Sequence, residues 1–217
     1  IQTKLRDGEW ALTCAIFKNS ETGKNEIIEI WPGYFDGIIY GIALDLGSTT
    51  IAAHLCNLKT GEVVNSNGTM NPQIKYGEDL MSRVSYAMMN GMGAKTMSKS
   101  VREGINTLIG ILCKKSNVKK NHVLEMVIVG NPIMHHLLLG IDPTELGQAP
   151  FALSIARSIS IKAIELDINL NKNTYVYILP CIAGHVGADA AAVTLSTSPE
   201  KSVDTVLVID VGTNAEI

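Results

Sequence analysis

No apolar run in this chain approaches the roughly 18 residues that a bilayer-crossing helix needs, and Ile1–Trp10 lacks the basic-then-apolar order of a secretory signal. A membrane role is therefore not expected. Charge of one sign is scarce as well. The formal net charge is −3 over 217 residues, which leaves no electrostatic basis for nucleic acid or an anionic membrane as partner. Cys14, Cys56, Cys113 and Cys181 are widely separated and form no C-x-x-C pair. That spacing excludes a disulfide framework and a self-contained zinc site, and it fits a reducing, cytoplasmic setting. Each cysteine is expected as a small buried apolar residue.

What is present is an ordinary globular composition, 46% hydrophobic and 18% charged, in a chain long enough to bury a substantial core. Residues 1–40 contain two short segments, Trp10–Phe17 and Glu26–Trp31, separated by the polar KNSETGKN and followed by PGYFDG. They predict a small strand pair and a linker. From Gly41 the pattern becomes regular. GIALDLG, IAAHLCNL and EVVNSNGTM predict three hairpin-linked strands. Apolar residues at three- and four-residue spacing predict helices over Glu78–Asn90 and Lys95–Ser116. Met126–Val129 predicts a buried strand running through GNP into a helix, with Pro132 in its first turn. Alternation in SISIKAIEL predicts an inserted strand pair, TYVYILP another buried strand, AAAVTL a helix, and Thr205–Asp210 a last strand. Three antiparallel strands followed by alternating helices and strands argue against a doubly wound sheet. They predict an α/β fold with a mixed five-strand sheet flanked by helices.

One motif occurs twice. LDLGSTT and IDVGTNA each place Asp, an aliphatic residue, Gly and a hydroxyl residue after an apolar strand. In the first, glycine lets a ligand approach the turn, successive N–H groups over Gly47–Thr50 can converge on an anion, and Ser48, Thr49 and Thr50 add hydroxyls. Asp45 would repel phosphate directly, so its natural role is to hold water or Mg²⁺ beside it. Asp210, Gly212, Thr213 and Asn214 repeat these parts. With one turn on each side of a triphosphate, the pair suits phosphoryl transfer. A single D-x-G-[ST] is a common turn, and only the recurrence gives it weight.

Other residues keep two readings. Asn131 either faces the cleft at a strand exit or caps the next helix. Asp189 points into the cleft or interacts with the first turn of its helix. Asp79 and Arg83 read as an exposed i,i+4 pair. His135 and His136 are adjacent on a helix and diverge, which disfavours a shared metal. The Met-rich YAMMNGMGAKTM reads as adaptable packing.

GIALDLGSTT and VLVIDVGTNAEI resemble the two phosphate motifs of the superfamily of acetate and sugar kinases, heat-shock chaperone ATPases and actin. NPQIKYGEDLMSRVSYA, VGNPIMHHLLLGIDP, LPCIAGHVGADAAA and IDVGTNAEI, in this order, resemble more narrowly the reductive activators of corrinoid-dependent methyltransferases. The resemblance implies an actin-like (ribonuclease H-like) lobe over 41–202, the tail of a ferredoxin-like domain plus linker over 1–40, and the start of a C-terminal nucleotide-binding lobe over 203–217. It implies ATP and Mg²⁺ as cofactors, with Asp45 and Asp210 catalytic, and Gly47, Ser48, Thr49, Thr50, Asn131, Asp189, Gly212, Thr213 and Asn214 binding the cofactor. DGEWALTCAIF resembles the element that supplies the last thiolate of a [2Fe–2S] cluster, which makes Cys14 a ligand whose companions are absent from this chain. The implied activity is ATP-dependent return of an inactive cobalt(II) corrinoid protein to cobalt(I), with that corrinoid protein as partner and a homodimer as the expected assembly. Ala215 stands where the pattern has glycine, which favours the first hairpin as the phosphate loop. Two alternatives are a small-molecule kinase using Asp189 or Asp210 as base, and an interaction domain whose HHLLLG surface binds protein.

Overall fold

The computed structural model describes residues 1–19 and 23–211 and the backbone of 215–216. A short helix α1 (Gln2–Asp7), which the sequence pattern does not signal, precedes an antiparallel pair β1 (Leu12–Lys18) and β2 (Asn25–Pro32). The main sheet is built from β3 (Tyr40–Leu46), β4 (Thr50–Asn57), β5 (Val63–Met70), β6 (Val123–Gly130), β7 (Ile159–Lys162) and β8 (Tyr175–Ile178). Their order is β5-β4-β3-β6-β8-β7. The sheet is mixed as expected, with β3, β6 and β8 parallel, but it has six strands rather than five. The expected strand pair in SISIKAIEL is one edge strand, β7, antiparallel to β8. It stops because Ala163–Leu166 turns into a 3-10 helix, in which the Glu165 carboxylate accepts the Lys162 N–H and Asp167 ends the turn at φ 55.

One face of the sheet carries the core. On β3, Ile42, Leu44 and Leu46 point inward while Ala43 and Asp45 point out, the period-2 pattern of a strand with unlike faces. Helices α2 (Leu80–Met89), α3 (Gly93–Lys115) and α4 (Pro132–Leu139) cover the inward face. The α3 stripe Met97, Val101, Ile105, Leu108, Ile109 and Leu112 is fully buried, at the spacing of a single helix face. The opposite face meets α5 (Ala188–Thr197) over β6 and is otherwise more open. A cavity of about 410 Å³ lies there between Ala43, Asp45, His54, Val129 and Leu195.

The β1–β2 pair packs through Phe17, Ile28 and Trp31 onto Leu124 and Tyr175, and the Phe17 and Tyr175 rings stack at 4.0 Å. Leu124 and Tyr175 lie at the starts of β6 and β8, so the pair sits at the end of the sheet opposite the strand exits. Cys113 and Cys181 are buried as expected and Cys56 is half-buried, but Cys14 on β1 is exposed, because it lies on the side of that small two-stranded unit turned from the core. The expected strand over Thr205–Asp210 is reduced to β9 (Asp210–Val211), paired with β10 (Ala215–Glu216). Val206, Leu207 and Ile209 before it are exposed; they join no sheet in this chain that would order them as strand. Among the described residues, no helix is long and apolar enough to cross a membrane.

Candidate functional site

In a parallel arrangement, the exits of β3, β6 and β8 collect at one edge of the sheet, the side on which open α/β folds bind ligands. The β3 exit is the first hairpin. Leu46 pairs with Ile51, so Gly47, Ser48 and Thr49 form its tight loop. A Cβ on Gly47 would lie 2.5 Å from the Thr50 carbonyl oxygen, so this turn admits only glycine without moving backbone.

Every carbonyl of that loop is held from behind. Gly47 O accepts from Asn71 Nδ2 at 2.9 Å, Ser48 O from Arg83 Nη2 at 2.6 Å, and Thr49 O from the Asn71 backbone N–H at 2.8 Å. Asn71 is 1% exposed and also caps the following 3-10 turn, its Oδ1 accepting from Gln73 N at 2.9 Å. Ser48 is buried, whereas Thr49 and Thr50 face outward.

Three carboxylates lie within electrostatic reach of one another. Asp45 is the penultimate residue of β3, Asp189 lies in the first turn of α5, and Asp210 lies on β9. The Asp45 carboxyl is raised above the ordinary carboxylate range, first by the protein packed around it and then by the charges of Asp189 and Asp210. Asp189 is raised by burial and by Asp210, against the lowering effect of the Ala190 N–H that donates to its Oδ1 at 2.9 Å. Of the two readings of Asp189, the contact with the first turn of α5 is the one this hydrogen bond makes. Gly187 makes that approach possible, since a Cβ there would lie 2.5 Å from Asp189 Oδ1 and 2.6 Å from Asn131 Cα.

Asn131 is a helix cap. Its side chain accepts from Met134 N at 3.0 Å, and Pro132 follows in the first turn. Its position beside Gly187 places the β6 exit against the Asp189 turn. Gly212, Thr213 and Asn214 lie outside the described residues, and only the Asp210–Val211 and Ala215–Glu216 ladder of the second hairpin is described.

Among the described residues, no group of three or more His, Cys, Asp or Glu side chains is close enough to hold a metal ion directly. Mg²⁺ retains most of its waters and needs only one or two protein carboxylates beside phosphate oxygens, so the Asp45 cluster fits that ion. The cysteines do not fit a [2Fe–2S] cluster, which takes four thiolates, since Cys113 and Cys181 are buried and Cys14 is on the separate β1–β2 unit.

A family described as the RACo middle region matches residues 40–202. The chain belongs to this family. It is 35% identical over 182 residues to a corrinoid activation enzyme, RamQ, of Eubacterium limosum, covering 82% of this chain and 30% of that protein. It is 26% identical over 194 residues to a [Co(II) methylated amine-specific corrinoid protein] reductase of Methanosarcina barkeri, covering 82% of this chain and 34% of that protein. A solved reductive activator for corrinoid, iron-sulfur protein superposes with a TM-score of 0.90 at 33% identity over 99% of this chain and 34% of that one. The RACo middle region thus has the actin-like fold, and the chain spans about a third of the length of the relatives it matches.

The sequence pattern misplaces two groups in this RACo middle region. Arg83 does not form an exposed pair with Asp79. It is wholly buried behind the hairpin, while Asp79 caps α2 by accepting from Ser82 N at 2.7 Å. The HHLLLG segment is not a binding surface either, since His135, His136, Leu137 and Leu138 are all buried. Helix α4 is apolar on nearly all sides because it is packed between the sheet and α3. Asn71, Gln73 and Arg83, which pack behind the first hairpin, stand out only in the structure. The visible signal was an Asn-Pro turn and a lone arginine in an otherwise uncharged stretch of helix, LMSRVSYAMM.

Proposed function

We propose that this chain is the middle region of an ATP-dependent reductive activator of corrinoid proteins. In that role 41–202 forms the first actin-like lobe, 203–217 opens the C-terminal nucleotide-binding lobe, and 1–40 is the tail of a ferredoxin-like domain with its linker. One observation carries this function: the loop carbonyls of a glycine hairpin are tied down behind it, and Asp45 before that hairpin lies within electrostatic reach of Asp189 and Asp210 from distant parts of the chain. The corrinoid proteins on which the relatives act suggest a corrinoid protein as the partner.

The hairpin's N–H groups and the Thr49 and Thr50 hydroxyls would take phosphate oxygens. Asp45 would orient a water beside them, Asp189 would keep the cleft side negative toward a hydrated cation, and Asp210 would approach from the second hairpin. Gly212, Thr213 and Asn214 would grip the other phosphate, and Asn131 would line the wall between them. Mg²⁺, when bound, supplies positive charge against the phosphate oxygens. Raised carboxyls suit this role, because an acidic cluster short of countercharge gains most from a cation. The nucleotide side of the sheet and the β1–β2 unit carrying Cys14 lie at opposite ends. ATP would therefore act by changing the geometry of lobes and partner, while charge travels from the iron–sulfur end.

The test is made on the full-length protein with its corrinoid partner. ATP turnover and the cobalt(II)-to-cobalt(I) absorbance change are followed for wild type and Asp45→Asn. Loss of both activities by about 100-fold or more is expected, given the usual size of electrostatic contributions at such sites. Equal rates in the two proteins would remove Asp45 from the chemistry, and phosphorylation of a small hydroxyl compound would replace the activator by a kinase.

A further inference from the structure

The residue behind the phosphate hairpin is an arginine that meets no carboxylate in its hydrogen bonds. Arg83 is 0% exposed. Nη2 donates to Ser48 O at 2.6 Å, Nε to Gly77 O at 3.0 Å, and Nη1 faces Gln73 Oε1 at 3.5 Å and Met134 Sδ at 3.3 Å. Burial pushes its pKa down to about 10, which still leaves it charged at neutral pH. A buried cation held by carbonyls and a thioether is a costly feature. Gln73, itself 0% exposed, is fixed in turn by donating to Met97 O at 3.0 Å.

We infer that Arg83, with Asn71, is a positioning residue that presets the first hairpin to receive a phosphate group. Across a trans peptide the C=O of one residue and the N–H of the next point in opposite directions. Tying Gly47 O and Ser48 O to the Asn71 and Arg83 side chains on the inner side therefore turns the Ser48 and Thr49 N–H vectors toward the outer side, while the Asn71 N–H holds Thr49 O in line with the β4–β5 ladder. The fixed positive charge adds to these peptide dipoles, so an anion in front of the loop supplies counter-charge in addition to that of Asp79. The loop has no need to reorganise when phosphate arrives, which is the condition for strong electrostatic binding.

This inference rests on the ATP reading, and the experiment separates the two. Full-length wild type, Arg83→Gln and Arg83→Lys are compared for ATP turnover (KM and kcat), for equilibrium binding of ATP and of adenosine, and for thermal stability. For Arg83→Gln, KM and Kd for ATP rise about 10-fold or more while adenosine affinity stays within about 2-fold, because only the phosphate contacts are disturbed. Arg83→Lys gives an intermediate rise of about 3- to 10-fold, since one ammonium cannot reach both the Ser48 and Gly77 carbonyls with the geometry of the guanidinium fork. A purely structural arginine would lower melting temperature and active fraction while leaving KM and the two affinities of the surviving molecules unchanged, and that result overturns the inference. If Arg83→Gln does not fold, the Lys variant decides by the same criterion. Absence of ATP binding by wild type would overturn the nucleotide reading and this inference with it; wild-type binding with unchanged variants overturns the inference alone.

Discussion

His135 is 2% exposed, and neither of its ring nitrogens has a hydrogen-bond partner. Its neighbour is different. His136 Nδ1 lies 2.7 Å from Pro132 O and its Nε2 accepts from Ser154 N at 3.1 Å, which uses both nitrogens of the neutral ring and leaves none for a metal. His135 therefore carries a desolvation cost with nothing returned, and burial together with His136 holds its pKa down to about 4 against an ordinary 6.5. The sign follows from linkage. The unfolded chain takes up the proton near pH 6.5 and the folded one near 4, so stability is intact above that window and is lost as pH falls through it. At pH 5 the loss from this residue is about 2 kcal/mol, and at the bottom of the window roughly 3 kcal/mol. His135→Leu removes that dependence. It also relieves two unmet polar groups, which gives an expected gain of about 1 kcal/mol at pH 7.5. Urea denaturation of both proteins at pH 7.5 and 5 measures the two effects, with His136 common to both as an internal control. Parallel losses between the two pH values would refute the placement of His135 as a buried, unpartnered imidazole.

Three further outcomes are expected. Asp189→Asn removes one of the acidic groups whose carboxyls are raised in the folded state, so it stabilises the chain at pH 7. Raised carboxyls cost stability above their folded pKa and nothing below the unfolded one, so the gain should vanish in a melt at about pH 3. Gly47→Ala forces a Cβ to within 2.5 Å of Thr50 O, and calorimetry on the full-length protein should show ATP affinity falling by about 10-fold or more; wild-type affinity would mean the hairpin opens freely. The isolated chain, with Val206, Leu207 and Ile209 unpaired before the second hairpin, should bind ATP only weakly, and submicromolar affinity in calorimetry would contradict that expectation.

What the sequence alone determined about this protein is local. Period-2 alternation in GIALDLG, three- and four-residue spacing over Lys95–Ser116, Pro132 after Asn131, and the repeated Asp-x-Gly-hydroxyl turn are signals carried by neighbours in the chain. The strands, helices and first hairpin formed where those signals stood. The same locality explains the failures. SISIKAIEL alternates well enough for two strands, but only the edge of β8 was open to receive one. Arg83 and Asp79 are spaced as an exposed pair, yet which side of α2 faces inward depends on the hairpin it packs behind, and that hairpin lies far back in the chain. The same holds for HHLLLG, whose burial comes from the sheet and α3 closing over both sides of α4. The meeting of Asp45, Asp189 and Asp210 was a decision of the tertiary structure. Parallel strands bring their exits to one edge however distant they are in sequence, and a carboxylate feels its neighbours only through space.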